Sequence, residues 1–438
     1  MPDGPAAASP SPPAPPRPDG LVLAPFRALR YDPTRSDLTT VTSPPYDVLD
    51  AAGVAALEEA SDVNVVRLIL PRDGAAEGDR YERAAATLRA WRATGVLQVD
   101  EAPALYVYEQ ASDTHAQRGL VGALALSPAE DGVVLPHENT MSDTVSDRLA
   151  LYTAVEADLE PIFLVYAGGG AASAAVGQVD DRVPLVDVTL ADGLRHRLWA
   201  LTDPAELEAV AADLRPRTAL IADGHHRYAT YLQRQAAAHA RGAGPGPWDA
   251  GLVLLVDTTR FGPEVHPIHR VIPGIAATEL AGRSAEHAKV EELDGAGLKA
   301  GLEALRAAGA QGPAYLLADG AGAVLRLLTE PSRDGLRNAL PPERSAAWRE
   351  LDVTVLHHFL VPVAWGLTDD VESVGFEHDV SAALAAAART DGTAVLLNPT
   401  ASDVVAAVAA QGERMPRKST LFTPKPRTGM VIRDHLVD

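Results

Sequence analysis

The segment "LIADGHHRYATY", residues 220–231, sets the fold of the chain around it. The apolar run at 218–222 predicts a buried strand, and Asp223-Gly224 is a typical turn pair. From His225 onward, apolar residues recur at helical spacing. The segment therefore predicts a strand, a tight turn and a helix in direct succession.

This turn concentrates polar groups at the start of the predicted helix. Helix N-termini attract anions because their N–H groups carry a partial positive charge, and Gly224 lets a ligand approach the backbone closely. His225, His226 and Arg227 follow directly, so the segment predicts a site for phosphate or carboxylate. Asp223 has three alternative roles, as helix cap, proton acceptor or metal ligand. The competing interpretation is structural, with a capping aspartate, partly buried histidines and an arginine that pairs with a carboxylate.

The composition limits the classes of function. A chain of 438 residues is long enough for two or three domains, and 47% hydrophobic residues support a globular core. A net charge of −21 argues against general nucleic-acid binding, and the absence of cysteine excludes disulfides and thiol catalysis. No apolar run approaches the roughly 18 residues of a membrane span, so we expect neither a nucleic-acid nor a membrane partner. The Pro- and Ala-rich residues 1–20 predict a disordered tail, not a signal peptide, and we expect a cytoplasmic protein.

The rest of the chain alternates short apolar runs with helical patterns, which predicts a mixed α/β fold: mixed sheets with flanking helices. One of the predicted strands is "NVVRLIL" at 64–70. Three consecutive glycines at 168–170 fit neither a dinucleotide fingerprint nor a phosphate loop, so we interpret them as a linker. We therefore predict an N-terminal α/β domain at 21–172. A C-terminal α/β domain at 173–438 would carry the "DGHHR" segment and a basic C-terminal loop.

Two stretches of the N-terminal half add candidate residues. The prolines of "PPYD" force an extended backbone and present Tyr46 and Asp47 in a fixed direction, either as part of a site or as a surface pair. His137 and Glu138 lie just past a predicted strand, and Arg148 opens an apolar helical run. In the functional interpretation Glu138 is a general base or metal ligand, while His137 and Arg148 hold charge. The alternative is a loop that hydrogen-bonds to its own helix.

Two stretches of the C-terminal half carry further cations. In "HPIHR" the proline makes the backbone extended, so His269 and Arg270 suggest an anion-binding patch more than a metal pair, with ordinary loop histidines as the alternative. The run "RMPRKSTLFTPKPR" holds five cations and no acid, and contains Lys418, Ser419 and Lys425. Lysine is a compact charge that suits phosphate oxygens. The run therefore predicts anion binding, with a solvated tail as the alternative.

Several of these motifs together resemble those of a known family. The motifs are "PPYDVL" at 44–49, "HENT" at 137–140 with "DRL" at 147–149, "ADGHHRYAT" at 222–230, "HPIHRV" at 266–271 and "MPRKSTLFTPK" at 415–425. They resemble a widespread bacterial family labelled a domain of unknown function (number ten-fifteen), over roughly residues 21 to 435.

The "DGHHR" segment is also similar to the motif of free-serine kinases in the ParB/sulfiredoxin-like group, which phosphorylate the hydroxyl of L-serine with a nucleotide or pyrophosphate. That resemblance implies a ParB/sulfiredoxin-like strand, turn and helix in which the segment from Asp223 to Arg227 holds phosphates. The base of that group is a separate glutamate that no motif carries over, so Glu138 is assigned on chemistry alone.

The sequence therefore predicts a Mg²⁺-dependent phosphotransferase for a small hydroxylated metabolite, with L-serine as the favoured acceptor and pyrophosphate, ATP or ADP as donor. The catalytic candidates are Asp223, Glu138 and His226, with Asp223 also a candidate Mg²⁺ ligand. The candidates for binding phosphate or substrate are Gly224, His225, Arg227, Tyr46, Asp47, His137, Arg148, His269, Arg270, Lys418, Ser419 and Lys425. Two alternatives stay open: a phosphatase that uses the same site, and a non-catalytic sensor of an anionic metabolite. The sequence sets no oligomeric state.

Overall fold

The computed structural model describes residues 18–73, 79–293 and 295–437. Most of the tail predicted at 1–20 lies outside these described residues. The chain divides into two compact units, each assembled from separate stretches of sequence. Unit 1 comprises Met1–Val134, Thr140–Pro263 and Pro424–Asp438, and unit 2 comprises Leu135–Asn139 and Glu264–Thr423.

Unit 1 is built on a mixed sheet of nine strands. In chain order, the first twelve strands are β1 (Leu23–Ala24), β2 (Leu29–Tyr31), β3 (Leu97–Val99), β4 (Leu105–Ala111), β5 (Ala116–Ala125), β6 (Val134–Leu135), β7 (Ala157–Asp158), β8 (Ile162–Tyr166), β9 (Val186–Thr189), β10 (Arg195–Leu201), β11 (Ala219–Asp223) and β12 (Ala250–Asp257). Nine of these twelve, all except β2, β3 and β7, form the sheet. The sheet order is β6-β11-β8-β12-β5-β4-β10-β9, with β1 paired to β5. Strands β8 and β12 are parallel, whereas β11 with β8 and β12 with β5 are antiparallel.

Helices flank this sheet. They are α1 (Leu38–Val41), α2 (Ala51–Ala60), α3 (Val66–Ile69), α4 (Arg80–Ala93), α5 (Ser142–Val155), α6 (Ala171–Gly177), α7 (Pro204–Leu214) and α8 (His225–Ala240). Helix α5 packs against α8, where the rings of Tyr152 and Tyr231 lie 5.5 Å apart. Strand β12 reads "AGLVLLVD" and is buried along almost its whole length, as expected for a strand with both faces covered.

Two sequence predictions differ from this arrangement. The predicted boundary at residue 172 falls inside unit 1, because β8 before it and β11 after it pair in the same sheet. The segment 64–70 is not a strand, because the Asn64 side chain accepts from the Val66 amide and the short helix α3 follows at Val66–Ile69. Short apolar runs of this length fit a buried helix turn as well as a strand.

Unit 2 contains a second, antiparallel sheet of six strands. The strands of unit 2 are β13 (Glu264–His266), β14 (His269–Ile272), β15 (Lys289–Glu292), β16 (Tyr315–Ala318), β17 (Leu325–Thr329), β18 (Gly375–Glu377), β19 (Thr393–Leu397) and β20 (Leu421–Thr423). Strands β13 and β20 form a separate pair, and the other six form the sheet. The order of the six is β15-β17-β16-β19-β14-β18. The chain then returns to unit 1, where β21 (Arg433–Asp434) pairs with β7.

Helices also flank the second sheet. They are α9 (Ala277–Ser284), α10 (Gly297–Gly309), α11 (Arg333–Ala339), α12 (Ala346–Arg349), α13 (Asp352–Val355), α14 (Val380–Arg389) and α15 (Ser402–Ala410), with a π-helical segment at Leu356–Ala364. Leu316 and Leu396 of the sheet form one apolar core with Leu305 and Ala387 of the helices. The mixed α/β fold predicted from the sequence is thus confirmed. In the described part of the chain, no helix combines the length and apolar character needed to cross a bilayer.

Asp352, at the start of α13, makes the stability of the protein depend on pH in a way that can be tested. Burial raises the pKa of Asp352 to about 7. An unfolded aspartate ionises at about pH 4, so stability falls as pH rises from there to about 7, because only the unfolded chain releases its proton in that range. We expect Asp352→Asn to stabilise the protein by on the order of 2 kcal/mol at about pH 8 and hardly at all at about pH 3. Urea unfolding at both pH values measures the difference, and equal effects at the two values would contradict this assignment.

Candidate functional site

The strand, turn and helix predicted around "DGHHR" are present. Asp223 ends β11, Gly224 adopts the left-handed conformation with φ 96°, and His225 begins α8. Only glycine takes this backbone conformation without strain, and it lets the chain turn sharply from strand to helix. Asp223 does not cap the helix, since the N-cap residue is Gly224 and no side chain caps it. The carboxylate of Asp223 is therefore left for other partners.

The ammonium of Lys425 lies between two carboxylates. Its Nζ is 2.5 Å from Asp47 Oδ2 and 2.6 Å from Asp223 Oδ1. Burial alone would lower the pKa of Lys425, but Asp223 and Asp47 outweigh it and raise the pKa, so the ammonium stays charged. Burial alone would likewise raise the pKa of Asp47, but Lys425 and Arg227 hold it below its usual range. The site thus holds a lysine cation in direct contact with an ionised carboxylate.

The backbone around Lys425 is fixed by the large sheet. Buried Gln110 of β4 donates from Nε2 to the Lys425 carbonyl, and buried Gln117 of β5 donates to the Pro424 carbonyl, both at 2.9 Å. Because β4 and β5 are hydrogen-bonded neighbours, the two glutamines have a fixed spacing. The sheet therefore sets where the lysine leaves the backbone.

Arg227 supports Asp223 from inside the protein. Its side chain is 1% exposed, and it donates from Nη2 to Asp223 Oδ2 at 2.5 Å and from Nη1 to the Pro161 carbonyl at 2.7 Å. Burial disfavours its charge, but Glu160 and Asp223 outweigh that cost and raise the pKa of Arg227. In this structure the guanidinium faces a carboxylate and a carbonyl and orients Asp223.

Tyr46 lies against two arginines. The guanidinium carbon of Arg148 is 4.6 Å from the ring centre of Tyr46, and that of Arg227 is 5.9 Å away. Burial raises the pKa of Tyr46 to about 12, so the hydroxyl stays neutral. Arg148 is itself buried and donates to Asp147 and to the Ile69 carbonyl. The ring of Tyr46 and the two guanidinium groups therefore pack together next to Asp47.

The two histidines of the motif have different surroundings. His225 is buried, with 8% of its surface exposed. His226 accepts a hydrogen bond at Nε2 from the Met141 amide at 3.0 Å. An accepting nitrogen carries no proton, so in this arrangement His226 links the loop before α5 to the start of α8.

The remaining candidates belong to unit 2, and one of them, Arg270, is a buried arginine. Arg270 is fully buried and contacts His357 Nε2 through Nε at 3.1 Å and Nη2 at 3.0 Å, while His357 Nδ1 lies 2.9 Å from Asp369. Burial lowers the pKa of Arg270 to about 9 and also lowers the pKa of His357. Burial, followed by the charge of Arg270, lowers the pKa of His269 to about 4, and its Nδ1 accepts from the Leu397 amide. His269 is therefore a neutral acceptor at physiological pH.

Four more candidates lie on the loops of unit 2. His137 is buried, with Nε2 3.0 Å from Thr420 Oγ1. Ser419 donates its hydroxyl to the Pro416 carbonyl. Lys418 is exposed and has a positive φ of 55°, which is costly for a residue with a side chain. Glu138 is one of the charges that act on Arg270.

The candidates thus divide between the two units. Those of unit 1 are Tyr46, Asp47, Arg148, Asp223, Gly224, His225, His226, Arg227 and Lys425. Those of unit 2 are His137, Glu138, His269, Arg270, Lys418 and Ser419.

Comparison with known proteins places the chain in a family. The family described as "Protein of unknown function (DUF1015)" matches residues 23–354. The chain belongs to the DUF1015 family. No curated protein matches it in sequence.

Solved structures share a distant likeness with this DUF1015 protein. A free serine kinase variant in complex with ADP is 13% identical and has a TM-score of 0.34, with 70% of this chain and 90% of that chain covered. SbnI with C-terminal truncation from Staphylococcus aureus is 10% identical, with a TM-score of 0.34 and coverage of 73% and 89%. A conserved hypothetical protein from Pyrococcus furiosus is 15% identical, with a TM-score of 0.32 and coverage of 70% and 94%. TM-scores this low carry no inference about activity.

Two residues of the DUF1015 protein were not among the sequence candidates. Glu160 is 1% exposed and accepts the Tyr46 amide at 3.0 Å, and burial raises its pKa. Its signal is a carboxylate directly before the apolar run 161–166, where an ionisable residue is rarely buried without partners. His357 lies next to His358 in the apolar stretch 351–363. It is buried but contacts Arg270 and Asp369, whereas His358 is exposed.

Proposed function

We propose that this protein is a phosphotransferase that acts on a small hydroxylated metabolite, with L-serine as the favoured acceptor. The observation that carries the proposal is the ammonium of Lys425 held between Asp47 and Asp223 at the start of α8. Phosphoryl transfer needs cations that neutralise the developing charge and a carboxylate that takes the acceptor proton. Both groups meet here in direct contact.

The residues of unit 1 divide into roles by their surroundings. Asp223 stands directly before the helix N-terminus, where phosphoryl oxygens are stabilised, so it takes the proton of the acceptor hydroxyl. Lys425 moves its ammonium from the carboxylates onto the donor phosphate. Arg227 keeps Asp223 oriented, and Asp47 keeps the lysine charged. The similarity of "DGHHR" to the free-serine kinase motif supports serine as the acceptor and pyrophosphate, ATP or ADP as donor.

Asp223 and Asp47 are also the residues that would hold Mg²⁺. Their oxygens already converge on one cation, the ammonium of Lys425. Mg²⁺ needs only one or two protein carboxylates when phosphates and water complete its shell. Among the described residues, no group of three or more potential metal ligands converges. Bound there, the ion would neutralise charge on the donor phosphates.

Purified protein with Mg²⁺ and L-serine, given pyrophosphate, ATP or ADP in separate reactions, tests the proposal. We expect phosphoserine with one of the donors, detected by ³¹P NMR. Formation of phosphate from phosphoserine, without transfer from any donor, would favour the phosphatase. Stabilisation by an anionic ligand, without turnover in either direction, would favour the sensor.

Replacement of Lys425 tests the central contact. We expect Lys425→Met to lower kcat by about a hundredfold, because a preorganised cation is lost from the transferring phosphate. Removal of the ammonium also removes a charge that holds the pKa of Asp47 below its usual range, so that pKa should rise. Lys289→Met is the matched control, since Lys289 is 60% exposed and pairs with Glu330 on the surface. A kcat within about threefold of wild type would contradict a direct role for Lys425.

A further inference from the structure

The site of unit 1 is assembled from three separate chain segments. Tyr46-Asp47 forms one, Asp223 to Arg227 the second, and Lys425 to Thr428 the third. Such contacts are lost with small shifts of any one segment, since a displacement of about 1 Å is enough to impair catalysis. A common anchor would keep the three in register.

Glu160 contacts two of these segments through a single oxygen. Its Oε1 accepts the Tyr46 amide at 3.0 Å and the Thr428 hydroxyl at 3.2 Å. Tyr46 directly precedes Asp47, and Thr428 follows Lys425 by three residues. Both partners of the lysine–aspartate contact are therefore tied to the same carboxylate.

The next residue contacts the third segment. The carbonyl of Pro161 accepts from Arg227 Nη1 at 2.7 Å, and the same guanidinium holds Asp223 through Nη2. The dipeptide Glu160-Pro161 thus contacts all three segments. It lies directly before β8, whose neighbours in the sheet are β11 and β12, so its position is set by the core of the unit.

The chemistry of Glu160 favours a specific role over simple packing. The side chain is buried, and its Oε2 has no hydrogen-bond partner among the described residues, although Arg227 and Arg148 act on its charge. A buried carboxyl with an unmatched oxygen costs stability, whereas an apolar side chain of similar size does not. An apolar side chain at this position would lose the two hydrogen bonds that Glu160 accepts.

We infer that Glu160, together with the Pro161 carbonyl, is a positioning residue that holds Asp47, Asp223 and Lys425 in contact. This inference deepens the proposed function and rests on it for the kinetic part of its test. Glu160 touches none of the reacting groups, so its effect on turnover passes through the three segments it anchors.

Amide hydrogen exchange of the full chain tests the anchoring without any activity. In Glu160→Ala, we expect the exchange of the Tyr46 amide to rise by about tenfold or more, because the carboxylate that accepts its hydrogen bond is removed. Glu160→Gln keeps an acceptor oxygen and should restore exchange to within about threefold of wild type. Glu208→Ala, at an exposed position of α7, is the matched control.

Kinetics provide the second readout. We expect Glu160→Ala to lower kcat by about thirtyfold while KM for L-serine changes by less than about threefold, with most of the loss recovered in Glu160→Gln. Unchanged Tyr46 exchange in Glu160→Ala would overturn the inference, as would an equal rise across all of unit 1. If wild-type protein transfers no phosphate, the proposed function fails, while the exchange experiment still decides the positioning role.

Discussion

Asp223→Asn is expected to lower kcat by about a thousandfold, the largest loss of activity of any single substitution here. Arg227 and Lys425 contact different oxygens of Asp223. Asparagine has the same shape but keeps only one acceptor oxygen, so it retains one of these two contacts. It cannot take the proton of an acceptor hydroxyl at neutral pH. The loss should therefore appear in kcat, with KM for the donor changed by less than about fivefold.

The comparison with Asp47→Asn makes this experiment decisive. Asp47 contacts the same ammonium, at 2.5 Å against 2.6 Å for Asp223. Loss of either carboxylate removes one of the two anions beside Lys425, so this contact alone predicts effects of similar size for the two variants. We expect Asp47→Asn to cost only about tenfold in kcat, because it lacks the position beside the helix N-terminus. A larger loss for Asp47→Asn would transfer the proton-accepting role to that residue. Asp334→Asn is the control for the loss of one negative charge, since the Asp334 side chain is 81% exposed.

The local part of the site could be predicted from the sequence because its cause is local. A strand that ends at Asp223, a left-handed turn at Gly224 and a helix from His225 follow from residues that are adjacent in the chain. Glycine at the turn and helical spacing after it are sufficient for this prediction. Tyr46 and Lys425 were recognisable as candidates by residue type and by the prolines that fix their backbone.

The convergence of these candidates was not predictable. Asp47 and Lys425 are separated by 378 positions and meet through strand pairing and side-chain anchors that no local pattern encodes. For the same reason the predicted division at residue 172 does not match the two units. The chain leaves unit 1 twice, at Leu135–Asn139 and at Glu264–Thr423, and returns to it each time, so both units are discontinuous in sequence.

Arg227 shows how burial changes an interpretation based on residue type. An arginine at the start of a helix suggests a group that reaches for a phosphate. The structure buries its guanidinium against Asp223 and Pro161, where it orients a carboxylate. Its neighbour Glu160 was missed because its two partners lie 114 and 268 positions away in the chain. Burial of a charge depends on such distant partners, which the sequence alone does not reveal.

Asp158→Ala is expected to destabilise the protein by about 3–5 kcal/mol, the cost of breaking a buried ion network. Asp158 is fully buried at the end of β7. Its carboxylate lies 2.9 Å from Arg234 Nη1 and 3.0 Å from both Arg433 Nη1 and His435 Nε2. It also accepts the Leu252 amide of β12 at 3.1 Å. Alanine would leave the cations around it buried without their anion.

The same network predicts how this loss depends on pH. Burial alone would raise the pKa of Asp158, but Arg234 and His435, followed by Arg433, hold it well below its usual range. A depressed folded pKa adds stability that is complete above the unfolded value of about 4 and is lost as pH falls towards the folded value. Urea unfolding should therefore show the full penalty of Asp158→Ala at about pH 7 and a smaller one at about pH 3. Asp334→Asn is the exposed control. A penalty that is the same at both pH values would mean that Asp158 stabilises the fold by packing, with no contribution from its charge.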